Sequence, residues 1–165
     1  MRQTYKNILM WALYAVLFLF VIVLQTVVFG HARFFGVKLS LVPVCIACIT
    51  MHTGSENGAL FGLIAGAFWM LAGADGGALY ILLFTGCGAV VGYLCDRYLN
   101  RTLLSAFLMS LMTLSLTQTA LFAFRVFLGT TSWAGILSVL VQIGLSMLAW
   151  PLIYPAAWAI RKAGA

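Results

Sequence analysis

Residues 8–29 read Ile8-Leu9-Met10-Trp11-Ala12-Leu13-Tyr14-Ala15-Val16-Leu17-Phe18-Leu19-Phe20-Val21-Ile22-Val23-Leu24-Gln25-Thr26-Val27-Val28-Phe29, without a charged side chain. A helix needs about 20 such residues to cross the ~30 Å hydrocarbon core of a bilayer. Arg2 and Lys6 precede the stretch, as they would in a signal peptide. However, the apolar run is too long for a signal-peptide core, no small-x-small cleavage site follows, and further apolar runs come after it. It is expected to be a retained first span.

The composition agrees with that reading. Of 165 residues, 64% are hydrophobic and 7% charged, and the mean hydropathy is +1.11. A soluble domain carries roughly 25% charged residues because water must wet its surface. A soluble or disordered chain is therefore excluded. The 16 glycines and 4 cysteines form neither a collagen period nor a dense disulfide framework. The expected class is an all-α integral membrane protein, residues 1–165 forming a single transmembrane domain with no room for a separate catalytic domain. A net charge of +6 could suggest nucleic acid, but the basic residues sit at the edges of apolar runs. Orientation in the bilayer explains them, and no nucleic-acid partner is expected.

Five more runs follow, at 39–51, 58–72, 78–94, 103–128 and 133–160. The second contains Pro43 near its start, where a missing amide donor costs least. Thr53-Gly54-Ser55-Glu56-Asn57 and Gly73-Ala74-Asp75-Gly76-Gly77 are turn-rich breaks. The second and third runs are short, so each is a thin or tilted span, or the two form a re-entrant hairpin. Pro151 and Pro155 are expected to kink the last run or end its regular portion early. Six spans with both termini cytoplasmic place Arg2, Lys6, Arg97, Arg101, Arg161 and Lys162 inside. Arg33, Lys38 and at most Arg125 then lie outside, which is the expected bias.

Gly58, Gly62 and Gly66 recur every four residues, and Gly88 and Gly92 repeat the spacing. Lipid gives helices no hydrophobic incentive to associate, so small residues that admit close backbone approach supply the packing. These five glycines are expected to pack helices within the monomer or to meet a partner. Gln25, Gln118, Arg125 and Gln142 form the candidate intramembrane polar cluster. Gln118 and Arg125 share a face with Ser110, Thr113 and Thr117. Such groups either line a substrate cavity or hydrogen-bond between helices, with Arg125 reaching to the interface.

Cys45, Cys48 and His52 share a helical stripe, but lack the paired ligands of a zinc site, and buried cysteine packs well in helices. No metal and no cofactor are expected. Asp75 and Asp96 fall on opposite sides of the membrane in the six-span scheme, and cannot be a carboxylate pair. Neither His31 nor His52 has an evident nucleophile and orienting acid, and no phosphate-cradling loop occurs. No catalytic residue is assigned, and an enzyme is not expected.

Leu24-Gln25 late in the first span and Phe35-Gly36-Val37 leading to Pro43 resemble the bacterial rod shape-determining MreD family. So does the block Gly58-Ala59-Leu60-Phe61-Gly62-Leu63-Ile64-Ala65-Gly66, followed by Gly77-Ala78-Leu79-Tyr80 and by Gly92-Tyr93-Leu94 before a basic loop. Gln118 stands where the family usually has an acid, Gln142 where it has Asn, and Tyr154-Pro155 is similar to its terminal Tyr-Pro. Val44 and Met70 occupy positions where the family often has Asp.

The resemblance implies a non-catalytic scaffold of the cell-wall elongation machinery, needed for rod shape and peptidoglycan synthesis, in the bacterial cytoplasmic membrane. It implies binding to MreC and, through it, links to MreB, a SEDS glycosyltransferase and a class B penicillin-binding transpeptidase. MreD-like proteins also resemble in fold the S components of energy-coupling-factor transporters, so a compact six-helix bundle of that kind is expected. The alternative function is such an S component, binding a vitamin or metal. It predicts a polar pocket near Trp69, Tyr80, Gln118 and Arg125. The first span, rich in Leu, Phe and Val rather than spaced alanines, argues mildly against it.

Overall fold

The computed structural model describes residues 2–28, 37, 39–73, 77–98 and 102–164. His31, Arg33, Phe35, Gly36, Lys38, Asp75 and Arg101, which entered the charge map and the motifs above, lie outside the described residues, as do the side chains of Arg2 and Ala134. The described residues are helical apart from short connections.

Helix α1 covers Arg2–Val23 and runs into a π-helical turn, Leu24–Val28. Helix α2 covers Val42–Thr53. Pro43 lies in its first turn, where no intrahelical amide bond is lost. The helix ends at Gly54, whose φ of 87° is a conformation that a side chain would strain. Helices α3 (Ser55–Leu71) and α4 (Ala78–Arg97) follow. Helix α5 (Leu103–Phe127) is capped by the Thr102 hydroxyl, which accepts from the Ser105 amide at 3.4 Å. A short 3₁₀ turn, Trp133–Gly135, leads into α6 (Ile136–Met147), and α7 covers Trp150–Gly164. The long last run is broken: α6 and α7 meet at 46°. Pro151, second residue of α7, has no amide to continue the α6 ladder.

The protein is an all-α membrane protein. Three helices are long and apolar enough to cross a bilayer, Tyr5–Val28, Ala78–Arg97 and Leu103–Phe127, and four if the bent α6–α7 pair counts as one. Of the six expected spans, the runs that became α2 and α3 fall outside this set. At 12 residues, α2 rises only about 18 Å, well short of the hydrocarbon core. The 17-residue α3 rises about 26 Å.

The short helix occupies the centre. Every residue from Val42 to His52 is buried, and α2 packs against α1, α3, α4, α5 and α7. A helix that is apolar all round belongs in a protein core or in lipid, and here protein surrounds it. Around it pack Tyr14 and Phe18 of α1, Phe61 of α3, Phe84 and Val91 of α4, Leu114 of α5, and Ile153 and Ala157 of α7. Helix α1 lies at the margin: 17% of its apolar window is buried, against 44% for α5.

Candidate functional site

The tightest contact is the α3–α4 pair, the most extensive helix pair of the fold. A Cβ built on Gly58 would lie 2.8 Å from the Gly88 carbonyl oxygen, and one on Gly66 would lie 2.6 Å from Ile81 Cα. One on Gly62 would overlap the Phe84 carbonyl, and one on Gly88 the Gly58 carbonyl. At the far end, a Gly92 Cβ would come within 2.5 Å of Ser55 Cα. Four-residue spacing puts the glycines of each helix on one line, and the two lines meet backbone to backbone. All five sequence-selected glycines therefore pack within the monomer. Trp69 and Tyr80 continue the seam edge to face at 6.3 Å, and Tyr80 meets Phe84 at 5.4 Å.

The second feature is where α2 begins. Its first amides open inside the protein, out of reach of bulk water, and in such a place an unpaired N–H costs several kcal/mol, of order 2–7. The Gln25 side chain meets this demand. Its Oε1 accepts from Leu41 N at 2.8 Å and from Val42 N at 3.0 Å. Ser146 Oγ accepts from Ser40 N at 2.9 Å. Three consecutive amides are thus held by side chains from two other segments, the π turn after α1 and the C-terminal end of α6. A π turn widens the helix by one residue and changes the direction in which its side chains leave. Gln25 is buried within this turn while Thr26, Val27 and Val28 remain exposed. Thr26 bonds back to the Ile22 carbonyl at 2.8 Å, satisfying its hydroxyl locally.

The polar face of α5 is the third. Ser110, Thr113, Thr117 and Gln118 are buried. Ser110 Oγ lies 3.7 Å from Cys48 Sγ of α2. Thr117 donates to the Thr113 carbonyl at 2.8 Å. Thr113 Oγ1 has no hydrogen-bond partner among the described residues. Helix α2 runs toward the end of the bundle where α5 starts, so the two are antiparallel. Thr113, Thr117 and Gln118 consequently step from Ser110 toward the level of α2's first residues.

The four members of the expected polar cluster are thus placed differently. Gln25 is a helix cap and Gln118 is on the buried α5 face. Gln142 is half-buried on α6, one turn before Ser146. Arg125 is exposed near the end of α5, where its carbonyl accepts from Thr130 N and Oγ1. Cys45 and Cys48 are free thiols in the core, and His52 packs its ring 6.1 Å from that of Tyr154. Among the described residues no group of three or more His, Cys, Asp and Glu side chains could hold a metal. Asp96 Oδ2 accepts from Ser55 N at 3.1 Å, placing a negative charge at the N-terminus of α3.

Sequence reasoning missed three of these partners. Ser40 and Ser146 are 106 positions apart, and no local pattern joins them. Asp96 pairs with an amide 41 residues away. The one usable signal was Gln25 itself, a lone amide in an apolar run, which must find partners in protein. No protein-family model, no curated protein and no solved structure matches the chain.

Proposed function

We propose that this chain is a non-catalytic scaffold of the bacterial cell-wall elongation complex. It sits in the cytoplasmic membrane and acts by binding MreC. Through MreC it is linked to MreB, a SEDS glycosyltransferase and a class B penicillin-binding transpeptidase. One observation carries the reading. The segments in which it resembles the MreD family, Gly58–Gly66 and Gly92–Leu94, coincide with the α3–α4 seam, where the glycines admit backbone contact. In this proposal six segments are embedded in the bilayer, α2 as a half-span, α3 as a thin one and α6–α7 as one bent span. Both termini face the cytoplasm, as the Lys and Arg distribution favours.

Because the glycines are consumed within the monomer, the partner helix belongs elsewhere. Of the three long spans, α1 is the least buried, and it offers an apolar face that includes Val16, 61% exposed, and Phe20, 60% exposed. The transmembrane segment of MreC packs there. The test is co-purification of MreC with the full chain in mild detergent. Wild type retains MreC, and Val16→Trp combined with Phe20→Ala releases it without loss of helix content. Failure of wild type to retain MreC refutes the proposal.

The S-component reading has one specific observation in its favour: a helix starting inside the bundle with its first amides held by Gln25 and Ser146. Tight co-purification of a vitamin or a metal ion reverses the ranking.

A further inference from the structure

We propose that a groove between the start of α5 and α7 holds one anionic glycerophospholipid of the bilayer. Its acyl chain lies on an aromatic wall and its phosphate meets Arg161 and Lys162. The groove has a volume of about 650 Å³, within the ~300–1,000 Å³ range of ligand pockets. Thr102 and Leu103 form one side, and Trp150, Tyr154, Pro155 and Trp158 the other. Trp150, Tyr154 and Trp158 are spaced four apart, so they form one face of α7 about 12 Å long. The wall is fixed in place: Trp150 and Tyr154 stack at 5.4 Å and 24°, and Phe107 meets Trp150 edge-on at 5.5 Å.

Charge settles the class of occupant. The Lys162 ammonium sits over the Trp158 ring, 5.3 Å from its centroid, so it is drawn back onto the groove. Arg161, seven residues after Tyr154 and three after Trp158, lies one turn beyond Trp158 on the same face of α7. No lining residue is acidic. An apolar trough with two cations just beyond its Trp158 end complements a molecule with a hydrocarbon tail and a phosphate head. Basic pockets between membrane helices bind anionic lipid headgroups in this way. Thr102, immediately before α5, marks the same end of the bundle as the level at which the chain leaves the apolar region.

The test is native mass spectrometry of the full chain in detergent. Phosphatidylglycerol and phosphatidylcholine with identical acyl chains are added at equal concentration. Phosphatidylglycerol is expected to be retained about 25-fold better, and Arg161→Gln with Lys162→Gln to abolish that preference. This is about fivefold, or 1 kcal/mol, for each cation. Trp158→Ala, at a side chain 47% exposed, lowers retention of both lipids with helix content unchanged by circular dichroism. Equal retention of the two lipids by wild type shows only lipid of the surrounding annulus and overturns the proposal. An unchanged preference in the charge variant overturns it too. Stronger retention of undecaprenyl phosphate than of phosphatidylglycerol overturns the assignment to a glycerophospholipid.

Discussion

Replacing Gly62 by Ala adds a single methyl group where α3 and α4 touch through their backbones. Its nearest neighbours are the Phe84 carbonyl, with Phe84 C at 2.7 Å and Thr85 Cα at 3.1 Å. Carbon atoms at rest stand about 3.5–4.0 Å apart, so the helices must part by roughly 1 Å at this point. No side chain can rotate away, because all three atoms are backbone. Overpacking of this kind costs about 1–3 kcal/mol. Alanine returns up to ~1 kcal/mol through its better helix propensity. Net destabilisation of about 1–2 kcal/mol follows, and Tm falls by about 2–4 °C per kcal/mol in a chain of this size.

Gly86 on α4 is the internal control, since a Cβ there has nothing within 4 Å. Gly86→Ala therefore keeps only the propensity gain and is expected to raise Tm. The assay is thermal unfolding in one detergent, followed by far-ultraviolet circular dichroism and tryptophan fluorescence. A Gly62→Ala protein as stable as wild type, or one that shifts in the same direction as Gly86→Ala, refutes the account of the seam.

Gln25→Leu leaves the Leu41 and Val42 amides buried without an acceptor, at about 1–3 kcal/mol each. Faster hydrogen exchange confined to the start of α2, with a lower Tm, is expected; unchanged exchange there removes the capping role. Thr113→Val swaps a fully buried, unpartnered hydroxyl for a methyl of similar size. Thermal stability should hold or rise, and a loss above 1 kcal/mol would mean that the hydroxyl has a partner. Asp96→Asn weakens the acceptor at the start of α3. The side chain is exposed, so about 0.5–1 kcal/mol is expected, read by denaturant titration and diminishing at high salt. A salt-independent effect points away from charge.

These variants also separate what was legible in the chain from what was not. Membrane class followed from composition, whereas run length matched the helices only in part: the run at 133–160 is divided into α6 and α7. The runs at 78–94 and 103–128 became α4 (Ala78–Arg97) and α5 (Leu103–Phe127) within a few residues. The glycine spacing pointed to close helix contact, because a four-residue repeat lines one face whatever surrounds it. Which helices met was not legible. Nor was it visible that the glycines of α3 and α4 are opposed to each other rather than to a partner. The π turn after α1 left no sequence signal, and neither did the enclosure of α2, whose apolar residues read equally well as a thin span.

The amino-acid sequence by itself determined the solvent of this protein and the periodicity of its helices, because both are local sums: hydropathy over 20 residues, and spacing along one turn. It also determined that Gln25 needed a partner, since an amide has the same demand in any apolar setting. Only the tertiary structure decided what meets that demand. The Leu41 and Val42 amides come to Gln25 because α2 begins inside the bundle. Ser146 reaches Ser40 because α6 ends at the same depth, where Pro151 lets the chain bend. Contacts between residues so far apart depend on how the helices enclose one another, and no local sum along the chain contains that information.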